Sequence, residues 1–146
     1  MNNEEKKVRL RIVSRMVDPQ GGRHDTKNAR TGKLLEMPGG LRLEYDDEQD
    51  GERAHIVLEL TPGNAAQKSC ARMQRKGMTS GLLSFVPGQR ISTSYVTIYG
   101  DIPIQIATRR VEIAREENGG MLLLDYDVYM GGERTSSALM EITWRL

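Results

Sequence analysis

The chain has a single cysteine, Cys70, no long apolar run, and few aromatic side chains: one Phe, one Trp and five Tyr among 146 residues. One thiol cannot form an internal disulfide, which excludes a disulfide-stapled scaffold and fits a reducing compartment such as the cytoplasm. No stretch approaches the roughly 18 apolar residues that a membrane helix needs. The charged opening MNNEEKKVRLR has no apolar segment of a secretory leader behind it. A membrane partner is therefore not expected. Excess charge of one sign is lacking too. Lys plus Arg number 21 against 20 Asp plus Glu, for a net charge of +1. A dedicated nucleic-acid binder is usually strongly basic, so no nucleic-acid partner is expected.

The familiar chemical motifs are also missing. There is no GxGxxG and no glycine-rich loop ending in GK[ST], so the usual phosphate cradles are absent. No GxSxG elbow occurs, and His24 and His55 have no nucleophile beside them in the sequence. One Cys and two scattered His make no zinc pattern. No catalytic residue, metal site or cofactor is singled out. The acidic run from Asp46 to Gly51 places glycine sixth, as a calcium loop would. Its twelfth position, however, is Val57, where bidentate coordination needs Glu. A solvated hairpin turn is the better reading.

What the chain does have is period two. Val8, Leu10, Ile12 and Met16 share one parity, and Lys7, Arg9, Arg11 and Arg15 the other. Side chains alternate across a strand, so this is a half-buried strand with a basic outer face. Leu41, Leu43 and Tyr45 alternate likewise, as do Ile56, Leu58 and Leu60. Gly32 to Met37 reads as strand, and residues 23–31 read as polar and ambiguous, a possible returning arm of a hairpin. Residues 66–75 are taken as strand because no apolar i, i+3, i+4 stripe develops. Further strands are expected at 82–86, 91–99, 102–114, 121–130 and 134–146, mostly separated by Gly pairs or Pro-Gly. About ten short strands at such spacing indicate an all-β barrel or sandwich in one domain, residues 1–146, with 1–7 a flexible N-terminus. The expected core comprises Leu10, Ile12, Leu43, Ile56, Leu58, Leu60, Leu122, Leu124, Val128, Met140, Ile142 and Trp144. In 102–114, Ile102, Ile104 and Ile106 have one parity while Val111 and Ile113 have the other. A bulge at Thr108–Arg110 would return both sets to one face. Asp125 and Asp127 share a face, about 7 Å apart from strand rise. The opposite face is the more apolar, so both aspartates should face water.

The least ordinary segment runs from Ile91 to Gly100. One of its faces reads Ile91, Thr93, Tyr95, Thr97, Tyr99, with four hydroxyls in a row. If that face points inward, Thr93, Tyr95, Thr97 and Tyr99 supply the polar lining of a ligand site, joined by Tyr126 from the inward set of a later strand. Tyrosine suits a cavity wall, since its ring packs with apolar groups while its hydroxyl stays free to bond a ligand. If the face points outward, the hydroxyls satisfy only backbone or water.

Several motifs in order, Gly32, Gly39-Gly40-Leu41-Arg42-Leu43-Glu44-Tyr45, Arg75-x-Gly77, Phe85-x-x-Gly88, Thr93-x-Tyr95-x-Thr97-x-Tyr99-Gly100, Gly120-x-Leu122-x-Leu124-x-Tyr126 and Gly132, cover roughly residues 8–146. On these the chain resembles the YwiB-like family of small bacterial proteins of uncharacterised function. That resemblance implies a single antiparallel calycin-like β-barrel of about eight to ten strands, similar in architecture to lipocalins and fatty-acid-binding proteins. It implies no activity. The chain departs from secreted lipocalins in having no Gly-x-Trp on its first strand. Two non-catalytic readings stand side by side. One is a barrel that binds a small apolar or amphipathic ligand in its interior. The other is an interaction or scaffold module whose barrel is filled with side chains, as a homodimer for example. An enzyme without a known motif is a third.

Overall fold

Alternation of Val8, Leu10 and Ile12 with Lys7, Arg9 and Arg11 builds the first of ten strands in the computed structural model, which describes residues 5–49 and 51–146. The strands are β1 (Lys6–Val17), β2 (Arg23–Met37), β3 (Gly40–Gln49), β4 (Glu52–Thr61), β5 (Cys70–Gly77), β6 (Gly81–Phe85), β7 (Arg90–Thr97), β8 (Gly100–Glu116), β9 (Gly119–Met130) and β10 (Glu133–Arg145). All neighbours pair antiparallel, in the order β6-β5-β4-β3-β2-β1-β10-β9-β8-β7. No described residue is helical, and no helix is long and apolar enough to cross a membrane. The strand β1 begins at Lys6, so Lys6 and Lys7 are laddered to Leu34 and Lys33 rather than loose; residues 1–4 lie outside the described residues.

The two edge strands of this sheet, β6 and β7, meet each other and nearly close a barrel. Their seam is thin. Ser80 and Val96 exchange two backbone hydrogen bonds of 2.9 and 2.8 Å. Thr93 Oγ1 donates to the carbonyl of Leu82 at 2.8 Å. The ring of Tyr95 lies over Gly81, where an added Cβ would come within 2.7 Å of its Cδ1. A side chain there would push the ring away and open the seam.

One ambiguous segment is resolved, and two sequence expectations need adjustment. Residues 23–31, polar and ambiguous in sequence, are the returning arm of the β1–β2 hairpin and run on without a break into 32–37 as a single 15-residue strand. Residues 66–69 are loop instead of strand. Asn64 Oδ1 accepts from the amides of Ala66 and Gln67 at 2.7 and 3.0 Å, an Asx turn that competes with strand backbone. The acidic run is mostly strand up to Gln49; Asp50 lies outside the described residues. The bulge is present: the β8–β9 register shifts between Thr108 and Arg110, leaving Arg109 as the extra residue. Ile104, Ile106 and Val111 are buried on one side of the sheet, with Ile113 packed against the same core; Ile102 is partly exposed at the rim.

The turns at 18–22, 78–80, 98–99 and 131–132, with Gly51, gather at one end of the barrel, and the two ends are filled differently. At the other end Val8, Leu41, Leu60, Phe85, Leu122 and Trp144 are almost fully buried. Of the expected core, Val128 and Met140 are only half-buried against it; the other ten are buried.

Candidate functional site

Along β1 the inward row changes from Val8, Leu10 and Ile12 to Ser14 and Met16 as it nears the turn-rich end. On β2 the inward row is Gly32, Arg30, Asn28, Thr26, without one apolar side chain after Leu34. On β3 the row Leu41, Leu43 ends in Tyr45 and Asp47, and on β5 the row Ala71, Met73 ends in Arg75. These polar ends converge with Tyr95 of β7 and Tyr126 of β9 around a cavity of about 240 Å3. Its apolar wall is made by Ile12, Ile56, Met73, Leu83 and Met140.

Of the five residues expected to line a pocket, Tyr95 and Tyr126 line this cavity. Thr93, Tyr95 and Thr97 do face inward, half-buried and alternating with exposed neighbours. The two threonine hydroxyls serve the backbone: Thr93 bonds the seam, and Thr97 Oγ1 donates to the carbonyl of Gly100 at 2.8 Å while accepting from the amide of Tyr99. Tyr99 is corrected outright. It sits in the β7–β8 turn, is 92% exposed, and lies far from any interior. Strand parity ended at Thr97, and a hairpin turn resets the direction of the next side chains.

Tyr126 packs its ring edge-on against Phe85 at 4.8 Å between centroids. Burial pushes the phenols of Tyr45 and Tyr126 well above their ordinary range. For Tyr45 the charge of Asp47 adds to this, while Arg75 and Arg30 oppose it. The Tyr95 phenol is raised by burial against the opposing charge of Arg75. All three are therefore neutral hydroxyl donors at neutral pH. Asp47 is ion-paired to Arg30, with Nη2 at 3.1 Å and Nε at 3.2 Å. Ser14 and Thr26 share a hydroxyl hydrogen bond of 2.6 Å on the same wall.

A larger groove of about 740 Å3 crosses the rim beside Asp46, Glu48, Arg53, His55 and Lys76. Its charges mostly answer each other: Arg53 approaches Glu48, and His55 Nδ1 lies 2.8 Å from Asp46. The cavity differs in setting charged groups against an apolar wall.

Asp125 and Asp127 point away from the interior, as their parity requires, but they are not bare carboxylates. Arg109, displaced outward by the bulge, reaches both, at 2.7 Å to Asp125 and 2.6 Å to Asp127. Burial raises the Asp127 carboxyl, but bonds from Ser137 and Arg109 outweigh it and hold it below the ordinary range. A carboxyl with a depressed native pKa stabilises the fold above its unfolded value of about 3.9, and this is lost as pH falls through the native value. Arg109→Gln is therefore expected to be less stable than the parent near pH 7, with the gap closing below about pH 4. Urea unfolding across that range measures it; a constant gap would contradict the coupling.

The family model for the domain of unknown function DUF1934 matches residues 10–142. The chain belongs to this family. This DUF1934 chain is similar to the uncharacterized beta-barrel protein YwiB of Bacillus subtilis (strain 168), 20% identical over 141 residues, covering 97% of this chain and 94% of the relative. The crystal structure of that Bacillus subtilis ywiB protein superposes with a TM-score of 0.83, covering 97% of this chain and 92% of the other. At 20% identity this establishes a shared barrel for the DUF1934 chain, and the site is argued from its own residues.

Residues missed by sequence reading are Tyr45, Arg75 and the Arg30–Asp47 pair. A signal was present: on β3 and β5 an apolar inward row closes on a charged residue of the same parity.

Proposed function

We propose that this chain is a non-catalytic binding barrel that holds one small amphipathic ligand in the turn-rich half of its interior, within the cytoplasm. The observation that carries this reading is the cavity of about 240 Å3, walled by aliphatic and methionine side chains on one side and by three tyrosines and polar groups on the other. Small-ligand sites have this make-up, mostly apolar with a few convergent polar groups. Small closed barrels of this kind can hold one small ligand in their interior. The unpaired Cys70 supports a reducing compartment.

Native mass spectrometry of the protein isolated from its own host tests the reading. A bound small molecule is expected on the parent chain and none on Leu83→Trp, whose indole would occupy the cavity. Bare chains alone in both samples would overturn it. The interaction-module reading is favoured by one observation: the rim at the same end exposes Met78, Val96, Ile98 and Tyr99, with Ile98 69% exposed. Subunit number, read in the same spectra, tests for a homodimer.

A further inference from the structure

Arg75 is the last inward position of β5 before the chain turns into β6. A guanidinium in a half-buried row is ordinarily matched by a carboxylate, because an unpaired charge is costly to remove from water. Arg30, on the neighbouring wall, is matched in this way by Asp47. Arg75 is not. Its Nε donates to the carbonyl of Thr79 at 3.2 Å, and no carboxylate of the described residues lies within ion-pair distance. With Nε engaged, the edge formed by Nη1 and Nη2 remains, a fork that fits both oxygens of a planar oxyanion. Tyr45 and Tyr95 line the same cavity as Arg75.

We propose that the cavity takes a small organic monocarboxylate, its carboxylate held by the free edge of Arg75 and its apolar body against Ile12, Ile56 and Leu83. The inference rests on the cavity being a ligand site and names the ligand's chemistry. Size limits the body: about 240 Å3 is the space of roughly eight water molecules at about 30 Å3 each, too little for a long acyl chain. Charge selects the head. One free guanidinium balances one negative charge, whereas a phosphate monoester carries roughly −1.5 to −2 near pH 7 and would leave an excess beside Asp47.

Benzoate, benzamide and inorganic phosphate are the probes, followed by methyl NMR shifts at Ile12, Ile56 and Leu83. Benzoate is expected to shift these methyls to saturation, at least tenfold more tightly than neutral benzamide. Arg75→Gln is expected to weaken benzoate at least tenfold and leave benzamide unchanged. Arg75→Lys keeps the charge without the fork and is expected to fall between them; it also serves if Arg75→Gln unfolds through loss of the Thr79 bond. Equal binding of benzoate and benzamide, or benzoate binding indifferent to both substitutions, overturns the carboxylate assignment while leaving the cavity as a ligand site. Phosphate displacing benzoate at lower concentration also overturns it. No shift at these methyls with any probe overturns the cavity reading itself.

Discussion

Replacing Trp144 by alanine is expected to cost about 3–5 kcal/mol of folding stability and to lower the melting temperature by roughly 10–20 °C. Trp144 is 2% exposed and is the largest side chain at the closed end of the barrel. Its indole lies over Gly120 of the neighbouring strand, and a Cβ added at that glycine would run into the ring. The backbone has thus given up a side chain to admit the indole, and nothing nearby is free to refill the hole. Scanning calorimetry checks the size of the effect. A loss under 1 kcal/mol would mean that the end collapses around the vacancy, contrary to the tight packing there.

Phe85→Ala is expected to be of similar magnitude, about 3–5 kcal/mol, with a different signature. Phe85 is fully buried and ends β6, which has only five residues and pairs by a full ladder on one side alone. Its ring also supports Tyr126, a wall of the cavity. The loss should therefore be uneven. Amide exchange is expected to accelerate most in β6 and β7, where the seam has little else to hold it, and least in β1 and β10. Uniform acceleration across all strands would show that the seam opens only with the whole molecule.

These two residues sit where the sequence was easiest to read. At the closed end β1 and β3 alternate cleanly between apolar and charged, so Leu10 and Leu43 declared their side of the sheet, and Leu58, Leu122 and Trp144 followed from the parity of their apolar rows. The bulge was legible for the same reason, because a parity switch in an isoleucine row has one simple remedy. Near the cavity that logic inverts. Thr26, Asn28 and Arg30 face the interior yet look like solvent residues, so the first half of β2 read as ambiguous. Arg75 lay in a segment read as strand, but as a charged residue it was not taken to face inward. Hydroxyl counting found Tyr95 and Tyr126 but carried on past the end of β7 to Tyr99. Inward polar groups are invisible to a method that equates inward with apolar, and a binding site is where such groups belong.

The strand order has a kinetic corollary. The first and last strands, β1 and β10, pair along nine residues in mid-sheet, from Arg9 with Arg145 to Val17 with Ser137. The consecutive strands β6 and β7, by contrast, barely join. The costliest loop closure in folding therefore unites the most distant segments of the chain, and the barrel has to find it before either half has a complete wall. Folding slows as contacts span more sequence. Were the chain reconnected between residues 146 and 5 and cut at Gly88, all ten strands would follow one another as a plain meander. Only the thin seam would then be long-range, and the rearranged chain should reach the same barrel sooner.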